Sequence, residues 1–189
     1  KMKNDIEHYQ QHVVNEIRLT LSHQFYAFGS NQVLPQAVFD LAMQNLASLK
    51  FQKYYMQILE NETYYYISEA FFKEFKQNYS LQFVDDEYLS HLEENKEEIL
   101  KGIRGDAESR TRIYFKYFKS ARLKRGDKSI ESEQGSFFTK LVHTFIPSEY
   151  CALDGPIKDF FALKKETFYS SWLAVSQAYR EFAAENPAI

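Results

Sequence analysis

Gly135-Ser136-Phe137-Phe138-Thr139-Lys140-Leu141-Val142-His143-Thr144-Phe145-Ile146-Pro147 is a helix with its stop signal attached. Leu141, Val142, Phe145 and Ile146 supply an apolar face at helical spacing, and Pro147 ends the run. His143, set among them, reads as a packed histidine hydrogen-bonded to backbone. The short loop from Tyr150 then leads to Asp154-Gly155-Pro156-Ile157, which opens a second helix. Asp is a strong N-cap because its carboxylate accepts from the orphan N–H groups of the first turn. Pro156 fits that turn, where its missing N–H costs nothing. Two sharply delimited helices in succession point to an all-α chain.

Moving towards the N-terminus, Gly126-Asp127-Lys128 is the clearest loop, and the chain beyond it reads as a helical C-terminal unit. Residues 110–125 read as one helix. At about 100° per residue, Arg112, Lys116, Lys119 and Arg122 fall in one sector roughly 120° wide. Tyr114, Phe118 and Ala121 lie on another side. Further back, Asp85-Asp86-Glu87 makes an acidic first turn for a helix reaching about Lys101. Residues 85–98 hold seven acids and one Lys, whereas residues 104–128 hold nine basic and three acidic residues. A chain with a formal net charge of −3 thus conceals a strongly dipolar middle. The stretch Phe51–Tyr79 reads as helix. The alternative is a short β-hairpin near residues 58–67, because Tyr64-Tyr65-Tyr66-Ile67 has strand-like composition.

At the N-terminal end, Ile6, Tyr9, Val13, Ile17, Leu21 and Phe28 predict an amphipathic helix over residues 4–28, closed by Gly29-Ser30-Asn31. Pro35 opens the next, with Leu34, Val38, Leu41, Ala42 and Leu49 as its stripe. Composition agrees. Among 189 residues there are 6 Gly and 4 Pro, where average usage gives roughly 23 together. A β-sandwich needs turn chemistry every ten residues or so, which this chain lacks. Seventeen Phe and fourteen Tyr supply the core. The expectation is a compact multi-helix bundle of about seven to nine helices. One domain over residues 1–189 is the simplest reading, with a possible subdivision into 1–126 and 127–189. A single cysteine, Cys151, excludes a disulfide framework and a cysteine-based zinc site. No run approaches the roughly 18 apolar residues of a membrane span, and no signal-peptide core opens the chain. A cytoplasmic setting with no membrane partner is the default.

The pattern over residues 135–160 resembles part of the helix-hairpin-helix DNA glycosylase superfamily: a small residue, Thr-Lys, an apolar helix, a Pro, and an Asp opening another helix. In that family an Asp at the start of a helix is catalytic, activating a water or stabilising the charge that develops as the base leaves. The resemblance assigns that place to Asp154, with Thr139 on the preceding helix. The family's Leu-Pro-Gly-x-Gly turn is replaced here by Ser129-Ile130-Glu131-Ser132-Glu133-Gln134-Gly135, and Lys140 does not match the family's nucleophilic Lys. The resemblance therefore implies a glycosylase-like helical scaffold that binds nucleic acid, with catalysis at Asp154 in question. The alternative role for Asp154 is that of a helix cap.

These residues raise three functional expectations. In the first, Arg112, Lys116, Lys119 and Arg122 bind DNA or RNA phosphates, with nearby aromatics available for stacking on unpaired bases. In the second, the dipolar 85–125 surface receives a protein partner in a non-enzymatic interaction component, or its two halves pair with each other. In the third, Arg18 and His23 match the Arg-x4-His spacing of helical HEPN ribonucleases, although a regular helix sets them about 140° apart. His8, His12 and Glu16 share metal-compatible spacing but lie opposite the apolar stripe, so a solvated face is preferred. Neither a cofactor nor a resident metal is expected, and no phosphate loop or dinucleotide fingerprint is present.

Overall fold

In a computed structural model, the described residues are 52–61, 63–81, 83–160 and 168–185. The helices expected over 4–28 and 35–49 lie outside them, as do Arg18, His23, His8, His12 and Glu16. The chain groups into two units, Leu49–Phe145 and a second that includes Ile146–Ile189. The all-α class is what the structure shows. Among the described residues there are nine α-helices, one π-helical segment and one two-stranded sheet.

The first unit contains α1 (Gln52–Glu60), α2 (Tyr64–Ile67), α3 (Phe71–Asn78), α4 (Asp86–Glu94), α5 (Lys96–Arg104) and α6 (Ala107–Ile113). A π-helical segment (Tyr114–Phe118), β1 (Ala121–Arg125), β2 (Lys128–Ser132) and α7 (Gly135–Phe145) complete it. Its core is aromatic. Phe137 of α7 lies 5.5 Å from Phe75, 5.8 Å from Phe118 and 6.1 Å from Phe72, measured between ring centroids. Phe138 meets Phe118 at 5.3 Å and Tyr114 at 5.1 Å. All six rings are fully buried, and offset or edge-on contacts of this kind add to the burial of their area.

The hairpin is present, but not near residues 58–67. Residues 58–60 and 64–67 are helical; Tyr65 is buried against Phe71 and Phe145, and the Thr63 carbonyl accepts from Tyr66 and Ile67. Packing overrides the strand preference of Tyr-Tyr-Tyr-Ile. The strands instead pair antiparallel as Ala121↔Ser132, Leu123↔Ile130 and Arg125↔Lys128. Gly126 has φ +60° and Asp127 does not share a positive φ, the pattern of a type II′ turn. The single helix expected over 110–125 is therefore divided three ways. α6 stops at Ile113, a π-helical turn comes next in which Lys119 N–H donates to Tyr114 O at 2.9 Å, and β1 begins at Ala121. Likewise, the acidic helix is two. Asn95 separates α4 from α5 by donating its side-chain amide to His91 O at 2.8 Å while its own carbonyl accepts from Ile99.

Close approach fixes two further junctions. A Cβ on Gly102 would collide with the Ile113 side chain, so glycine there lets α5 meet the end of α6. Ser80 adopts φ 55° after α3, and Leu81 N–H returns to Lys76 O at 3.0 Å, a left-handed helix stop.

The second unit has α8 (Gly155–Phe160) and α9 (Phe168–Glu185). Trp172, fully buried, donates its indole N–H to Cys151 O at 2.8 Å and stacks on Tyr150 at 4.9 Å. Cys151 N–H donates to Ser176 Oγ at 3.2 Å, and burial pushes the Cys151 thiol up. No helix among the described residues is long and apolar enough to cross a membrane.

Candidate functional site

The acidic and basic segments meet. Asp85 caps α4 by accepting from Tyr88 N–H at 2.9 Å through Oδ1. Its other oxygen accepts from Lys124 N–H at 2.5 Å, which ties β1 to the start of α4. Leu123 and Ala121 are buried while Arg122 and Lys124 are exposed, so β1 shows the period-2 alternation of a half-buried strand.

Between α4 and the chain from Lys116 to Arg122 lies a groove of about 440 Å³. One wall carries Glu87, Ser90, His91 and Glu94, which share a helix face at i, i+3, i+4 and i+7. The other carries Lys116, Tyr117, Ser120 and Arg122. The π-helical turn builds this second wall, and such turns recur at functional sites. Tyr88, also lining the groove, donates its hydroxyl to Tyr117 O at 2.8 Å. His91 and Tyr117 face each other at 5.8 Å.

Two of the four ionic side chains that line the groove, Lys116 and Glu87, are already paired. Lys116 Nζ reaches both oxygens of Glu98, at 2.7 and 2.8 Å, and lies 4.8 Å from the Tyr117 ring centroid. The Tyr117 hydroxyl donates to the same carboxylate at 2.6 Å. Hydrogen bonds from Lys116 and Tyr117 hold the Glu98 carboxyl below its usual range, and the bond to Glu98 raises the Lys116 ammonium. Lys124 pairs with Glu87, which raises the Lys124 ammonium in turn. Among the described residues, the side chains of Arg122 and Glu94 hold no such partner.

The four predicted cations thus separate. Lys116 and Arg122 line the groove, whereas Lys119 pairs with Glu133 at 3.1 Å and Arg112, on α6, donates to Ser109 Oγ at 3.2 Å. They form no continuous stripe, because the π-helical turn changes the helical register and Arg122 belongs to a strand. Asp154 caps α8, its Oδ1 accepting from Ile157 N–H at 3.2 Å and its carbonyl from Lys158 N–H at 3.0 Å. Thr139 is fully buried within α7, its hydroxyl donating to Ser136 O at 3.3 Å. Lys140 donates to Tyr79 O at 3.4 Å.

His91 and Glu94 escape a reading by motif. On sequence they are members of a polar helix face, and only the turn at Tyr114–Phe118 and the hairpin beyond it supply the opposing wall. Among the described residues, no group of three or more His, Cys, Asp or Glu could hold a metal ion. No family model, curated protein or solved structure matches the chain, and the groove's own residues carry its functional reading.

Proposed function

We propose that this chain is a non-enzymatic helical interaction component that receives a protein partner in the groove between α4 and β1. One observation carries the reading. A groove of about 440 Å³ has one acidic and one basic wall, with the Lys124–Glu87 pair joining β1 to α4 and the Lys116–Glu98 pair joining the π-helical turn to α5. Opposed charged walls suit docking better than chemistry, since no base, orienter and stabiliser converge among the groove's residues. Tagged chain, purified under gentle conditions, is expected to bring down one partner in 1:1 stoichiometry. Ser90→Trp, which fills the groove, and Arg122→Glu should release it, while Arg112→Glu should not. A partner retained by all three variants, or no partner at all, overturns the reading.

Nucleic-acid binding is the second reading. It is favoured by Arg112 and Arg122, which are exposed and hold no carboxylate among the described residues. It requires oligonucleotide affinity at low salt, with a salt slope that Arg112→Ala reduces by roughly one. A glycosylase would in addition need base excision that Asp154→Asn abolishes. The cap geometry of Asp154 supports a stabilising role instead.

A further inference from the structure

The groove's lining contains four ionic side chains, and they are not equivalent. Glu87 is engaged by Lys124 and Lys116 by Glu98, each through a direct ion pair. That leaves one cation, Arg122, on the β1 wall, and one carboxylate, Glu94, on the α4 wall. The same groove is lined by His91 and Tyr117, whose ring centroids are 5.8 Å apart. Arg122 presents a planar guanidinium suited to a carboxylate, held by two parallel N–H bonds. Glu94 offers two oxygens to an ammonium or guanidinium.

We propose that the groove takes a peptide segment bearing one acidic and one basic side chain, the acid on Arg122 and the base on Glu94. This rests on the protein-partner reading and adds the partner's chemistry. A polyanion is a poor occupant. It would gain charge neutralisation from one unpaired cation, Arg122, set against the carboxylate of Glu94. A polycation is excluded by the same count with the signs exchanged. A mixed-charge segment matches both exposed charges, and like-charge juxtaposition against either alternative supplies the selectivity. The exposed His91 ring, tilted 45° to the buried Tyr117 ring, adds an aromatic contact to the same groove.

The probe is a phage-displayed random dodecapeptide library selected on the immobilised chain. Peptides enriched on the unaltered chain are expected to contain one acid and one base. They should shift the NMR signals of His91 and Tyr117, and they should bind at least about tenfold more weakly to Arg122→Glu or to Glu94→Lys. Fresh selections should then diverge. Arg122→Glu should enrich peptides with two bases, and Glu94→Lys peptides with two acids. Both substitutions are at solvent-exposed positions, and circular dichroism of each variant checks that the fold is kept. An unchanged consensus on both variants, enriched peptides that map outside the groove, or displacement of them by a single-stranded oligonucleotide overturns the proposal. A co-purified partner released by Ser90→Trp but unaffected by Glu94→Lys would defeat this inference alone and leave the broader reading standing. Loss of both results would defeat both.

Discussion

Helix α7 and the hairpin that precedes it are held by different physics. In α7, Phe137, Phe138, Thr139, Leu141, Val142 and Thr144 are all buried, so the helix is packed on several sides at once. In the hairpin only Ala121 and Leu123 are buried, and every residue of β2 except Ser132 is exposed. The helix is fixed by contact area. The hairpin is fixed by a turn, a ladder of cross-strand bonds, two apolar anchors and the bond from Lys124 N–H to Asp85. Since β1 is also a wall of the groove, the candidate site stands on the less strongly held of the two regions. Binding surfaces are commonly drawn from such low-stability elements.

The contrast breaks most severely at Phe137. Phe137→Ala removes a ring touching three others and should cost about 3–5 kcal/mol in denaturant unfolding. A loss below about 1 kcal/mol would mean that α7 is not the packing centre. Alkaline titration probes the same centre. Burial pushes Tyr79 up to about 12, and burial with the hydrogen bond to Glu74 does the same for Tyr64. Burial raises Tyr54 and Tyr88 as well. Groups raised in the folded state contribute stability that is fully present below pH 10. It is lost as the pH climbs towards 12, because the unfolded chain ionises first. Thermal midpoints should therefore fall steeply over that window, and a flat profile would contradict the burial of Tyr54, Tyr79 and Tyr88.

Smaller effects belong to the hairpin. Asp85→Ala removes the α4 cap and the tie to Lys124 together, and should cost about 1–2 kcal/mol. Amide exchange at Lys124 should quicken while the amides of α7 stay protected. Equal quickening in both would show one cooperative unit in place of a firm centre and a looser arm. Gly126→Ala forces a side chain into φ +60° and should cost about 1 kcal/mol, confined to hairpin amides. The least effect is expected at low pH. Glu98 is held below its usual range, so its pairing with Lys116 is present above that range and fades only as the pH falls through the lowered value. Shifts in the Tyr117 ring signals, with little change in overall stability, would register it.

The regular parts of this molecule were legible because their residues obey one period throughout. Gly135–Phe145 and the Asp154 cap, with Pro156 in the first turn, announce themselves through spacing and end signals. Residues 110–132 mislead for a physical reason. Arg112, Lys116, Lys119 and Arg122 keep helical spacing on paper, yet the chain changes from α to π to extended structure within that span. The alternation Ala121-Arg122-Leu123-Lys124 around Gly126-Asp127 is a hairpin signal competing with a helical one, and burial of Leu123 settles it. Asn95 divides the acidic helix by side-chain competition for a backbone carbonyl, a contest that composition does not reveal. The candidate groove was half visible. Its α4 wall lies in the acidic run, but its opposing wall depends on the π-helical turn at Tyr114–Phe118 and the strand that follows it.

The bond from Gln134 N–H to Phe118 O, at 2.7 Å, has a consequence for how this protein can be altered. It brings the chain back to the place it left, so residues 119–133 are a closed excursion whose two ends already touch. A short linker could bridge those ends, and a different loop could be seated on the same base, without asking α6 or α7 to move. Only Ala121 and Leu123 of the hairpin strands are buried and would have to be kept. The tip of the excursion and its exposed charges can be exchanged while the aromatic interior keeps the sequence it needs.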